Sequence, residues 1–180
     1  AAHILGVNPY DEPNVQESKD QTEDLLNVYA QDGHLPKTEP FFEDDDVALY
    51  VAESTGEILT RICAQRNYSD QELAGLLAAH ISFARSGDYI ALMAFMESTD
   101  QNDSLLRDLQ RRLRHATTRA VVLGYGPRLL HATGQLYKGG TPNGLFIQLT
   151  VEDRVDFDIP GRPYSLGILK QAQAMGDRQA

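Results

Sequence analysis

Three apolar runs limit what this chain can fold into more than any other feature. YIALMAFM at 89–96, AVVLGYG at 120–126 and GLFIQLTV at 144–151 are nearly continuous in apolar residues and lack the in–out alternation of a half-solvated strand. Runs of this kind read as strands covered on both faces, the environment of a parallel sheet. Between and around them the spacing changes to that of a helix. Leu73, Leu76, Leu77, Ile81 and Ala84 recur behind SDQE at 69–72, a capping-box pattern, and Ser86-Gly87 supplies a stop. Leu105, Leu106, Leu109 and Leu113 form the next stripe, with Arg107, Arg111 and Arg114 outward, as a solvated face or a subunit contact. Tyr164, Ile168, Leu169, Ala172 and Met175 mark a final helix. A further compact run, VALYVA at 47–52, has strand character. Strands alternating with helices predict an α/β fold: a layered, mainly parallel sheet with helices on both faces, preceded by a helical segment. In such sheets ligands gather beyond the carboxyl ends of the strands, which singles out the loops after residues 52, 96, 123 and 151.

The helical segment comes first in the chain. In NPYDEPNVQESKDQTEDLLNVY, each proline forces extended or turn geometry on its predecessor. Pro13 suits a first helical position, with Asp11 or Glu12 able to cap, and the helix runs to about Tyr29, before Gly33. GHLPKTEPFFEDDD then reads as a linker. The expected organisation is a helical segment over 1–32, a linker over 33–46 and an α/β domain over 47–180.

Lys19 falls in line with Val15, Thr22 and Leu26, inside an apolar stripe. One reading is a stem lying on apolar surface with its ammonium reaching water. The other is a cation directed into a site, where it meets an anion or a sugar oxygen. Spacing leaves both open. A second candidate is GYGPRLLHATGQLYKGGTPNG at 124–144, where His131, Lys138, Gly139 and Gly140 could form a substrate-binding nest of amides and a cation. Its spacing fits neither the P-loop nor the dinucleotide fingerprint, and a long loop that needs glycine geometry explains it equally. The four carboxylates of FFEDDDV read as a solvated approach to a strand, and the five histidines show no metal-ligand spacing, so no metal and no cofactor are expected.

Charge narrows the partners. The 180 residues carry a formal net charge of -10, which argues against nucleic acid or an anionic membrane surface while leaving room for a small anionic ligand. A single cysteine, Cys63, excludes a disulfide framework and a thiolate metal cluster, and a reducing, cytoplasmic setting is expected.

The segment LGVNPYDEPNVQESK resembles the region near the C-terminal end of glucose-6-phosphate isomerases, commonly INPFDQPxVExxK; many members have glycine where Ser18 precedes the lysine. GYGPRLLHATGQLYKGG, NGLFIQLT and IPGRPYSLGILKQAQAMGDRQA resemble the C-terminal extension of the long bacterial members, which include chains fused to a transaldolase. The resemblance implies that Lys19 opens into the active site, contacts the sugar near its ring oxygen and helps open the ring. A glutamate base would then move a proton between C2 and C1 through a cis-enediol. It implies a sugar-phosphate substrate, a homodimer built through the full-length chain, and a glutamate, a histidine and phosphate-binding residues lying upstream of Ala1. On that view the 180 residues alone are inactive. The other class of function is a non-catalytic α/β module that assembles an oligomer or binds a sugar-phosphate effector.

Overall fold

A computed structural model describes residues 2–6, 8 and 11–180. Val7, Pro9 and Tyr10 of the proline-rich turn, and Ala1, lie outside the described residues. A short helix α1 (Ala2–Leu5) precedes α2 (Pro13–Asp32). α2 begins with Pro13 in its first turn and ends at Gly33, whose φ of 76° is the left-handed C-cap geometry that glycine adopts without steric cost.

β1 (Phe42–Glu43) and β2 (Ala48–Leu49) follow and pair antiparallel. The Asp44 carboxylate accepts from the backbone amides of Asp46 and Val47 and closes the turn between them. The acidic run is therefore a hairpin turn, and the expected strand 47–52 is cut to two residues and stays out of the parallel sheet. Its run faces two ways: Val47 and Tyr50 are exposed, while Leu49 and Val51 pack inward. α3 (Glu53–Arg66), which the periodicity reading does not contain, starts directly after it. α3 packs on α4 (Leu73–Ile81) through Leu59, Cys63, Leu76 and Ala79, with Phe42 and Leu49 of the hairpin against the same cluster. The SDQE capping box does not form. Glu72 is the N-cap without a side-chain cap bond, and the Ser69 backbone folds so closely over Gly75 that a Cβ there has no room. The helix ends at Ile81, leaving Ala84 beyond it.

The three long apolar runs become β3 (Tyr89–Phe95), β4 (Ala120–Tyr125) and β5 (Gly144–Thr150). They form one parallel sheet with β3 in the centre, where Tyr89 is level with Ala120 on one side and Gly144 on the other. Central position explains the burial: Ile90, Ala91, Leu92, Ala94 and Phe95 are almost completely buried. Between β3 and β4 runs α5 (Asp100–Thr117), N-capped by the Thr99 hydroxyl, which accepts from the Asn102 amide at 3.1 Å. Ile90 and Leu92 pack with Val121, with Leu113 of α5 and with Ile81 of α4. Met93, projecting to the opposite side of the same strand, packs against Val15 of α2 and Leu129 and Leu130. A side chain occupies one carbonyl of each outer strand. Gln110 donates to Val121 O at 2.7 Å, and the His80 ring lies 3.1 Å from Phe146 O.

The segment expected as a glycine-rich loop is largely ordered. It contains a 3-10 turn at Arg128–His131 and a short helix α6 (Gly134–Gly139). The chain closes with α7 (Leu166–Gln179), which starts after Tyr164 and is capped by Ser165. Asp156 accepts from the Ser165 hydroxyl and from the Gly167 amide at 2.7 Å, so the loop before α7 is tied to its first turn. α7 lies along α2, and α6 sits on the start of α2, so residues 13–32 share a core with the rest of the chain.

Candidate functional site

α2 carries the first candidate. Its buried residues are Val15, Ser18 and Leu25, with Thr22 half-buried between them, a stripe spaced i, i+3, i+7, i+10. The stripe read from the sequence, through Lys19 and Leu26, shares Val15 and Thr22 with it but lies on one flank. Lys19 is one residue past Ser18, which turns it by about 100° from the buried line. Ser18 is 1% exposed. Its hydroxyl donates back to Asn14 O at 3.4 Å, and its own carbonyl accepts from the Thr22 hydroxyl at 2.8 Å. These local bonds let a polar residue occupy the tightest part of the helix contact. The Lys19 ammonium lies 3.3 Å from Glu12 Oε1, with side-chain exposures of 43% and 46%. An ion pair this open is worth at most about 1 kcal/mol, so the ammonium exchanges partners readily.

Within 124–144 the candidate residues divide. Lys138 is directed inward: its ammonium is 3.0 Å from Asp177 Oδ1 and donates to Asp177 O at 2.6 Å, and the two side chains are 10% and 2% exposed. Gln148 on β5 completes the cluster, donating to Asp177 Oδ2 at 3.4 Å and to Ala174 O at 3.0 Å. Gly139 lies against the Asn14 and Gln135 side chains, and Gly140 against the Leu136 carbonyl, each where a Cβ would collide. His131 is exposed. The loop and the lysine helix do meet, through a bond sequence reading did not anticipate. Gln135 Oε1 accepts from the Asn14 amide at 3.1 Å, and its Nε2 donates to Asn14 Oδ1 at 2.7 Å. A side chain 121 residues away thus satisfies an orphan amide at the start of α2, where neither Asp11 nor Glu12 provides a side-chain cap. The signal was available only as a polar residue in a glycine-rich context.

A cleft of about 420 Å³ opens beyond the carboxyl ends of β3 and β4, in the region the loops after 96 and 123 pointed to. Ser98, Thr99, Asp103, Arg107, Tyr125 and Arg128 line it. Arg107 Nε donates to Asp103 Oδ2 at 2.8 Å and the Tyr125 hydroxyl to Oδ1 at 3.3 Å. The guanidinium bond holds the Asp103 carboxyl below the usual carboxylate range. Asp100 and Asp103 offset Arg107 and Arg128 in the same cleft, which leaves no net charge to hold a phosphate dianion. A second cleft, of about 470 Å³, lies between the hairpin and the start of α4 and carries Glu43, Asp44, Asp70 and Glu72. Neither cleft includes Lys19. Among the described residues no group of three or more His, Cys, Asp or Glu is placed to hold a metal ion, and no helix is long and apolar enough to cross a membrane. Cys63 is buried, and burial followed by the nearby Asp70 charge pushes its thiol up, away from the nucleophilic thiolate.

Compared with models of protein families, with curated proteins and with solved structures, the chain matches none.

Proposed function

We propose that the chain is the C-terminal part of a glucose-6-phosphate isomerase. In this reading it is a layered α/β unit, with helices on both faces of the three-strand sheet, and α2 contributes Lys19 to the active site. The observation that carries it is the register of Asn8-Pro9, Asp11, Pro13 and Lys19 in one segment. The lysine it delivers sits on an accessible flank of α2, beside a single weakly held carboxylate. The helix is well placed for such a task. α7 and α6 grip its other side, which fixes the rotation that keeps Lys19 outward.

In the reaction, Glu12 gives up the ammonium at little cost and a substrate ring oxygen takes its place. Electrostatic stabilisation by the ammonium then assists ring opening. Proton transfer between C2 and C1 through the cis-enediol falls to a glutamate that these 180 residues do not supply under this reading. The substrate is a sugar phosphate whose phosphoryl group binds elsewhere in the full-length protein, a cytoplasmic homodimer that uses no cofactor. Whether a transaldolase precedes it does not alter the role of Lys19.

The test is aldose–ketose interconversion of glucose 6-phosphate and fructose 6-phosphate by the full-length parent. Lys19→Ala is expected to lower kcat about 10²- to 10⁴-fold without changing the thermal midpoint, because the side chain makes no buried contact. Turnover equal to the unsubstituted parent would discard the role of Lys19, and a parent inactive on both sugar phosphates would discard the family.

A further inference from the structure

We propose that the outer edge of β4 is a docking site for an extended peptide, which adds to the sheet as a fourth strand alongside α5, independently of the isomerase reading. β4 is a lateral strand of the three. In a parallel ladder alternate residues turn both N–H and C=O toward the same side. The Gly126 amide donates to Ala94 O on β3, so the even-numbered residues of β4 face β3, and Val121, Leu123 and Tyr125 present their backbone groups outward. The Gln110 side chain takes Val121 O at 2.7 Å. Among the described residues nothing bonds the outward amides of Leu123 and Tyr125 or the Leu123 carbonyl. Exposed edges are commonly blunted by lysine, proline or a bulge; AVVLGY contains neither residue, and its register runs without a bulge.

The cleft of about 420 Å³ runs along this edge. One wall is the α5 stripe of Thr99, Asp103, Arg107 and Gln110, which Arg114 prolongs at the same angular position; the other is Leu123, Gly124 and Tyr125. From Thr99 to Gln110 the helix rises roughly 16 Å, the length of a five-residue strand. The opposite edge of the sheet differs: the His80 ring stands at Phe146 O of β5, and neither of the two clefts reaches that strand. The walls define the occupant. Outward N–H and C=O groups two residues apart are matched by another extended backbone, and a cleft of no net charge suits a peptide where it does not suit a phosphate. Side chains of an added strand alternate between the two faces of the sheet. On one face the neighbour is Val122, 37% exposed where the sheet ends, which takes an apolar β-branched residue. On the other face lies the α5 stripe, where Arg107 Nε and the Tyr125 hydroxyl already occupy the Asp103 carboxylate. The terminal nitrogens of Arg107 and the exposed Arg114 remain as donors, and these take a carboxylate. The partner segment therefore alternates valine-like with glutamate-like residues.

The probe is a heptapeptide of alternating valine and glutamate, acetylated and amidated at its ends. In the free chain, amide hydrogen exchange followed by NMR is expected to be fast at Leu123 and Tyr125 and slow at Val122 and Gly124, which bond β3. The peptide is expected to slow exchange at Leu123 and Tyr125, with Kd on the order of 10–100 μM that loosens as salt is raised. Arg114→Glu is expected to weaken binding at least about fivefold with the helical circular dichroism unchanged, since the side chain is exposed. Backbone N-methylation of the peptide is expected to abolish binding, because the added strand then has no amide to donate. No slowing at millimolar peptide overturns the proposal, as does slowing that the N-methylated peptide reproduces. Edge amides whose protection in the free chain grows with chain concentration would put a second copy there instead, and overturn it as well.

Discussion

The Lys138 ammonium lies 3.0 Å from the Asp177 carboxylate and also bonds the Asp177 carbonyl, which joins α6 to the last turns of α7 in a nearly water-free setting. A lysine that reads in sequence as a phosphate ligand is here the counter-ion of a buried acid. Removing it strands that charge. Lys138→Met is expected to destabilise the fold by about 3–5 kcal/mol in chemical denaturation, whereas Lys138→Met with Asp177→Leu recovers most of the loss, because an apolar pair of similar size carries no desolvation cost. Equal destabilisation by the single and the double variant would show that the pair is not what Lys138 contributes.

Gly176 sets the distance between α2 and α7. A Cβ built there would lie 2.6 Å from the Thr22 hydroxyl, 2.9 Å from the Thr22 amide and 3.0 Å from the Ser18 carbonyl. Two of these are backbone atoms and cannot rotate away. In an open helix Gly→Ala gains about 1 kcal/mol, but Gly176→Ala is expected to cost about 1–3 kcal/mol by forcing the helices apart. Thermal unfolding of Gly176→Ala checks the sign. A raised midpoint would mean the contact is looser than its geometry.

His80 provides the pH prediction. Burial lowers its pKa from 6.5, partly offset by its bond to Phe146 O. The folded state thus binds its proton less readily than the unfolded state. Stability contributed by the neutral ring is fully present above the unfolded pKa near 6.5 and declines as pH falls below it toward the depressed folded value. Replacing His80 with Gln, which keeps a donor toward Phe146 O, is expected to flatten the fall in unfolding free energy below that pH relative to the unsubstituted chain. Parallel pH profiles for the two proteins would rule out His80 as its source.

Much of the fold was legible because its signal is local. β3, β4 and β5 coincide with their apolar runs to within a residue or two, although only the central β3 is buried on both faces; β4 leaves Val122 exposed and β5 is half-buried along its length, because each has a neighbour on one side only. The strand expected at 47–52 failed for a physical reason: its apolar residues divide between solvent and the α3–α4 cluster, and the Asp44 turn folds them back as a hairpin. α3 does carry a stripe, Gly56, Leu59, Ile62 and Cys63 at i, i+3, i+6 and i+7, but it is short, opens on a glycine and has no side-chain N-cap, so the sequence reading does not assign it.

The candidate site was less legible, and α2 shows why. The sequence by itself determined that a helix starts at Pro13, that it carries Lys19 in or beside its apolar line, and that it ends before Gly33, with its last turn placed near Tyr29, three residues short of the observed end at Asp32. It could not choose between two stripes that share Val15 and Thr22. Hydrophobicity favours Leu26 over Ser18, and a periodicity of 3.6 residues tolerates either. The tertiary structure decided it, because α7 approaches through Gly176 and demands a small residue opposite, which Ser18 is and Lys19 is not. In the same way, the polarity of Lys138 was written in the chain, but its partner Asp177 lies 39 residues on and becomes a neighbour only when α7 docks. Residue type and helical phase are properties of a short segment; which flank of a helix meets water depends on the shape of what packs against it.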